Sequence, residues 1–414
     1  MQVSGYAVPR MREQGEGRFS RMASAIRRAW AGYSREISTV MLIVVALVAV
    51  FPRLVGSLRW TPDGLFYQSQ VYEIQGQSET AALHREFSSQ AAIAIRQPDG
   101  RLGNPKWVSY SAQFYRRRWL VPLMAAAIYP AAGDRSLLYV SIAGYVLAGL
   151  LLFALLRRRF SDGVSLLVSI ACLLLPPART FAGLPLTDSW GLALEIGALI
   201  AALTALERGG RWIAVWIVTM LALSFTRDST VVLLAAVGWV VLANRSRRGA
   251  VVLASGALAA VPALALFGAP LERQLAYVLH GFHPPTVVSW SYDIAHYPST
   301  LASFLRQDAH YPQTLAYPAV WYAIGAALVA AVGYMFIAGP RRDEFFMLSR
   351  GAFVGAIAVV ALLPNYTDMR LELVFVPSIA AGLALTVTRL MTPVRAWLSR
   401  DVNARAAVLE PDRP

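Results

Sequence analysis

The chain has 414 residues, is 57% hydrophobic and only 15% charged, and has a mean hydropathy of +0.49. Soluble proteins carry about 25% charged residues, so a soluble domain with a single anchor is excluded and a polytopic membrane protein is indicated. The net charge of +14 then reports topology rather than affinity for nucleic acid, and the single cysteine, Cys172 inside an apolar run, excludes an intrachain disulfide and a cysteine-based metal site.

Residues 1–36 carry Arg10, Arg12, Arg18, Arg21, Arg27, Arg28 and Arg35, which places the N-terminus in the cytoplasm. Residues 19–37 suit either a helix lying on the anionic inner leaflet or a disordered basic tail. The first span is expected at 37–56. Its long basic lead and its Phe51-Pro52-Arg53-Leu54 ending mark a retained helix rather than a cleaved signal peptide. An outer loop, 58–134, follows, with short helices expected over 65–75 and 79–95. Within it, 119–132 is apolar but short, and Pro122 and Pro130 interrupt it. If that stretch crossed the bilayer, Arg157-Arg158-Arg159 and the 207–211 loop would face outward. If it is re-entrant or interfacial, every arginine-rich short loop falls inside, including 244–249 and 339–350; we adopt this option. Further spans are expected at 135–156, 163–176, 188–206, 211–226, 229–243, 250–268, 318–338, 350–363 and 372–391. The expected fold is thus all-α and polytopic, with about ten transmembrane helices in a 37–391 domain. A second large outer loop covers 269–317, the basic tail is 392–414, and both termini are cytoplasmic.

Charged residues collect on the outer side of this topology. Asp63 follows the first span, between Trp60 and Tyr67, and Pro62 and Gly64 suggest a turn that presents it. It is either a solvated turn residue or a general base facing a lipid-borne substrate. Each short outer loop pairs an arginine with a carboxylate: Arg179 with Asp188, Arg227 with Asp228, and Arg370 with Asp368 and Glu372. Charges near a bilayer are costly unless paired or solvated, so these loops either tie helix ends together or line one polar cavity. Asp188 and Glu195 share a helical face, with Glu195 about 10 Å deeper at 1.5 Å per residue; it faces a cavity or bonds a neighbouring helix. In the second outer loop His280, His283 and Asp293 form a weak candidate metal set, with no third ligand at a familiar spacing. Interleaved aromatics there suit a carbohydrate face or a membrane-interface belt equally.

The order of a cytoplasmic basic N-terminus, one span and a long outer loop opening on an acid resembles the GT-C superfamily of integral-membrane glycosyltransferases. The similarity is carried by Pro62-Asp63-Gly64-Leu65-Phe66-Tyr67, by Tyr115-Arg116-Arg117-Arg118-Trp119-Leu120-Val121-Pro122-Leu123, by Leu186-Thr187-Asp188-Ser189, and by Leu223-Ser224-Phe225-Thr226-Arg227-Asp228-Ser229. It resembles an uncharacterised bacterial branch. Some members place two acids together in the first loop, often with a metal between them; here Asp63 has no acidic neighbour until Glu73.

The resemblance implies inverting hexosyl or pentosyl transfer at the outer face of the cytoplasmic membrane, without a cofactor or metal. The donor would be a polyprenyl-phosphate sugar and the acceptor a glycan, lipid or protein. Asp63 would be the base. Guanidinium groups of Arg116, Arg117, Arg118, Arg179, Arg227 and Arg370 would be the candidates for the phosphate, and Tyr67, Asp188, Glu195 and Asp228 would complete the binding surface. The rival reading is a lipid or polysaccharide transporter or flippase, expected to show deep charges in duplicated halves. Glu195 is the one deep acid found, and no halves match. A third reading is an assembly protein whose ion pairs only hold helices together.

Overall fold

The computed structural model describes residues 35–95, 100–285, 288–362 and 371–409. Among them the secondary structure is entirely helical. The first helix, α1, is Arg35–Val55. It buries Leu42, Ala46 and Val50, spaced four apart, and leaves Val44, Val48, Phe51 and Val55 exposed on its other side, the pattern of a peripheral lipid-facing helix.

Four short helices then build a cap: α2 (Pro62–Ile74), α3 (Glu79–Phe87), α4 (Gln90–Ala94) and α5 (Pro105–Ala112). Thr61 caps α2, its Oγ1 accepting from Gly64 N at 3.1 Å, and Pro62 occupies the first helical position. Asp63 therefore lies in the first helical turn, not in a turn outside a helix as its flanking Pro and Gly suggest. The expected 79–95 helix breaks at Ser88-Ser89, where Ser89 caps α4 by accepting from Ala92 N. Gly64–Tyr72 of α2 is buried on all sides, and Phe66, Leu83, Leu102, Trp107, Val108 and Ala112 form a small core of the cap's own.

The main bundle follows: α6 (Leu120–Ala132), α7 (Ser136–Leu156), α8 (Asp162–Leu173), α9 (Pro176–Ala182), α10 (Asp188–Arg208), α11 (Arg211–Ser224), α12 (Thr230–Asn244) and α13 (Arg247–Phe267). Two helices of the second loop come next, α14 (Leu271–Leu279) and α15 (Trp290–His310), then α16 (Pro318–Ala338), α17 (Glu344–Leu362) and α18 (Val376–Leu409). Lipid supplies no hydrophobic drive between helices, so close approach depends on small residues. At Gly351 and Gly355 of α17 an added Cβ would stand 2.7 Å from Ala236 Cα and 2.8 Å from Val232 Cα of α12.

Seven described helices are long and apolar enough to cross a membrane, or eight if the α8–α9 pair, bent by 66° at Pro176-Pro177, is one span. The expectation of about ten is thus not met on length. Helices α11 and α12, with 14 and 15 residues, fall short of the roughly 20 needed to span a typical bilayer. The chain is an all-helical membrane-embedded protein.

Hydrogen bonds tie 119–132 and the turn after it to their neighbours. Leu120 N donates to Phe225 O just after α11, while Arg135 donates to Leu54 O and Gly56 O at the end of α1. Gln75, just after α2, reaches Ala126 O in between at 2.8 Å. The two ends of α6 thus meet the ends of α11 and α1, and its middle packs against α2 of the cap. The arginine loops gather at the other end of α7: Arg157 pairs with Asp162, Arg158 with Glu207, Arg159 with Glu207 and Asp343, and Arg248 donates to Leu206 O and Glu207 O. The 21 residues of α7 set the two ends about 30 Å apart.

Candidate functional site at the cap end

Asp63 stands half-buried in the first turn of α2, where free backbone N–H groups and the helix dipole favour its ionised form. Its Oδ1 accepts a hydrogen bond from the Tyr115 hydroxyl at 2.6 Å. Tyr115 is itself fixed: its ring stacks on Phe66 at 4.4 Å, and its carbonyl accepts from Gln70 at 2.7 Å. Burial first, then the charge of Asp63, pushes the Tyr115 hydroxyl well above its ordinary range. It therefore acts as a donor, aiming and stabilising the carboxylate.

One turn along α2, the buried Tyr67 hydroxyl accepts from Arg118 Nη1 at 2.9 Å and from Thr187 Oγ1 at 3.2 Å. Arg118 continues to Asp228 Oδ2 at 2.8 Å, and Arg117 pairs with Asp228 Oδ1. The Leu120–Phe225 backbone bond brings these arginines onto the 226–229 turn. Enclosure works to raise the Asp228 carboxyl, but Arg117 and Arg118, with Arg227 further off, override it and hold Asp228 well below the usual carboxylate range. Burial likewise disfavours the Arg118 charge, and Tyr67 and Asp228 reverse that, so the guanidinium stays charged. The two arginines and one acid leave this group net positive. The Nε atoms of Arg117 and Arg118 are buried without a partner among the described residues.

On the far side of Thr187, Asp188 opens α10 and pairs with Arg227 at 3.0 Å. Gly191 makes room for the Arg227 stem; a Cβ there would stand 2.5 Å from Arg227 Cγ. Together with Glu195, Ser229, Leu373 and Val374 these residues line a narrow cleft. Glu195 is 1% exposed, and its Oε1 has no hydrogen-bond partner among the described residues.

The structure thus brings Asp63, Tyr67, Arg117, Arg118, Asp188, Glu195, Arg227 and Asp228 into one connected region. Two of the expected phosphate ligands stand elsewhere. Arg116 points to the surface, where Glu79 takes it in a bidentate pair. Arg179 stands near Arg53 at the end of α1. Arg370 falls outside the described residues. The weak metal candidates do not assemble: no group of three possible ligands forms among the described residues, and the His280 and His296 rings stack on Tyr292. The second outer loop instead docks on the cap, with Trp107 donating to Phe282 O at 2.7 Å and Ser111 bonded to the Tyr277 hydroxyl at 2.9 Å. Tyr115, Thr187 and Ser229 were missed by the sequence reading. All three lie inside the quoted motifs, but nothing in their type or spacing marks them as contacts.

The fold and this region define a helical membrane protein with a charged, partly enclosed site at one end. No protein-family model and no curated protein matches the chain.

Proposed function

We propose that this chain is a glycosyltransferase of the cytoplasmic membrane, moving a sugar from a polyprenyl-phosphate carrier to a glycan, lipid or protein acceptor. The cap end faces outward and both termini are cytoplasmic. On this reading the chain crosses ten times, with α11 and α12 as short crossings and α8–α9 as a broken one. Asp63 takes the proton of an acceptor hydroxyl as its oxygen bonds the anomeric carbon. The bond from that carbon to the carrier phosphate breaks, and the electron pair leaves on the phosphate. Arg117 and Arg118 hold the departing anion, while Tyr67 and Asp228 fix their direction. Asp188, Arg227 and Glu195 face the sugar or acceptor. Because Asp63 has no close acidic neighbour in sequence, the reading is metal-independent.

One observation carries it. A carboxylate aimed by Tyr115 stands one side chain, Tyr67, away from two arginines whose Nε–H donors are unpartnered among the described residues. The alternative of transport starts from Glu195, whose unpartnered oxygen belongs to a residue lining the cleft. The two part in an assay of purified protein with labelled polyprenyl-phosphate sugars: a transferase releases lipid phosphate, and a transporter moves the intact molecule. Asp63→Asn keeps size and hydrogen-bonding reach but cannot take a proton. Loss of a general base costs roughly 10²–10⁴-fold, so retention of more than about a tenth of wild-type release by Asp63→Asn sinks the proposal.

A further inference from the structure

Outside the site, four arginines converge where α1 ends. Arg53, in the last turn of α1, lies flat on Gly183, where an added Cβ would stand 2.5 Å from Arg53 Cγ. Gly183 directly follows α9, which carries Arg179. Arg53 is within electrostatic reach of Arg59 and of Arg179. Arg135 closes the corner by donating to Leu54 O at 2.8 Å and Gly56 O at 2.9 Å. Carbonyls therefore satisfy Arg135. Among the described residues, by contrast, no carboxylate lies within ion-pair distance of Arg53, Arg59 or Arg179. Two other arginine clusters carry an acid: Asp228 for Arg117 and Arg118, and Asp162, Glu207 and Asp343 for Arg157–159.

Three like charges that meet no acid among the described residues repel one another, and an anion would relieve that repulsion. The approach to the corner says which kind. Directly beneath it runs the outward face of α1, with Val48 66%, Phe51 57% and Val55 65% exposed. An occupant must place its negative group at the chain turn that ends a membrane-crossing helix, and can lay apolar chains down that helix. We infer that Arg53, Arg59 and Arg179 bind the phosphate of an anionic membrane lipid whose acyl chains lie along α1. This site is separate from Arg117 and Arg118, which Asp228 already ties down, and it does not depend on transferase chemistry. A bound lipid there would hold α1 against α9, next to the 183–185 turn whose Pro185 backs Gly64 and hence Asp63.

The test is lipid retention by the full chain, purified and delipidated in neutral detergent, then offered defined lipids and examined by native mass spectrometry. Dioleoyl phosphatidylglycerol is expected to be retained in preference to dioleoyl phosphatidylcholine. Each arginine near a lipid surface contributes about fivefold in affinity. Arg59→Gln, an exposed position, should thus weaken retention roughly fivefold, and the triple glutamine variant on the order of a hundredfold. If the triple variant does not stay monodisperse, Arg59→Gln and the triple lysine variant decide, the latter keeping the charge and retaining the lipid to within about twofold. Equal retention of the two lipids, or unchanged retention by Arg59→Gln, overturns the inference. Retention of added polyprenyl monophosphate but not phosphatidylglycerol, lost in the same variants, also overturns it and transfers these arginines to the donor site.

Discussion

At Asp63 the sequence suggests the wrong local structure: Pro62 and Gly64 resemble a turn, yet Thr61-Pro62 is also an N-cap followed by a first-turn proline, and the second signal prevails because α2 is buried on every side. In the proposed role, a carboxylate in the first turn has the favourable end of the helix dipole beside it. Tyr115 adds a hydrogen bond to the charged form, which lowers a carboxyl pKa. Tyr115→Phe removes that bond while keeping the ring stacked on Phe66. Turnover should fall roughly tenfold and the acid limb of the pH–rate profile should move, because the bond to the carboxylate is lost. A purely structural Tyr115 would lower activity without moving the limb. The three consecutive arginines teach a related lesson. Successive residues of a helical turn point about 100° apart, so Arg117 and Arg118 reach Asp228 while Arg116 faces Glu79 at the surface. Sequence alone grouped all three.

Helix existence and order followed closely from the apolar runs, and the misses lie at breaks that side chains decide. Ser88-Ser89 divides one expected helix, and at the end of the expected 163–176 span Pro176-Pro177 open a further helix, α9, set at 66° to α8. Helix α3 contains a feature no periodicity could reveal, the burial of Glu86, which is 4% exposed. Burial first, then Asp134, raises its carboxyl to about 7, against weaker opposing effects of Tyr72 and Arg85. Asp134 is held nearby by the hydroxyls of Tyr72 and Tyr129, so Glu86 couples α3 to the turn after α6. A carboxyl raised in the folded state contributes stability that is full below its ordinary value of 4.5 and is lost as pH rises through about 7. The loss is on the order of 2–3 kcal/mol. Glu86→Gln cannot ionise. Thermal midpoints in detergent should fall for the wild type between pH 5 and pH 8 and stay level for Glu86→Gln. A parallel fall in both would place the titrating group elsewhere.

For the whole molecule, charge divides the loops into two sets. The arginine-dominated loops meet at one end of α7, where Asp162, Glu207 and Asp343 pair with them, and the pairs of Arg117 and Arg118 with Asp228 and of Arg227 with Asp188 lie at the other. What charge could not supply was which side chains within a loop touch, because that depends on helix rotation. The placement of 119–132 rests on the parity of the arginine-rich loops, and the bonds of α6 to the ends of α1 and α11 describe its packing in the bundle and not its path through the membrane. The remaining question is which end faces the cytoplasm, and the sole native cysteine, Cys172, is buried, so background labelling is low. Lys106→Cys and Pro284→Cys place thiols at exposed positions on the cap, and Ser161→Cys and Arg208→Cys place them at exposed positions on the arginine end. An impermeant maleimide added to intact cells should label the first pair, and the second pair only after the membrane is opened. Arginine-rich short loops are retained on the cytoplasmic side, and the proposed donor presents its sugar on the opposite one. Labelling of Ser161→Cys in intact cells would invert the orientation and put Asp63 on the cytoplasmic face. Labelling of Lys106→Cys and Ser161→Cys alike would show that the two ends do not lie on opposite sides of the membrane.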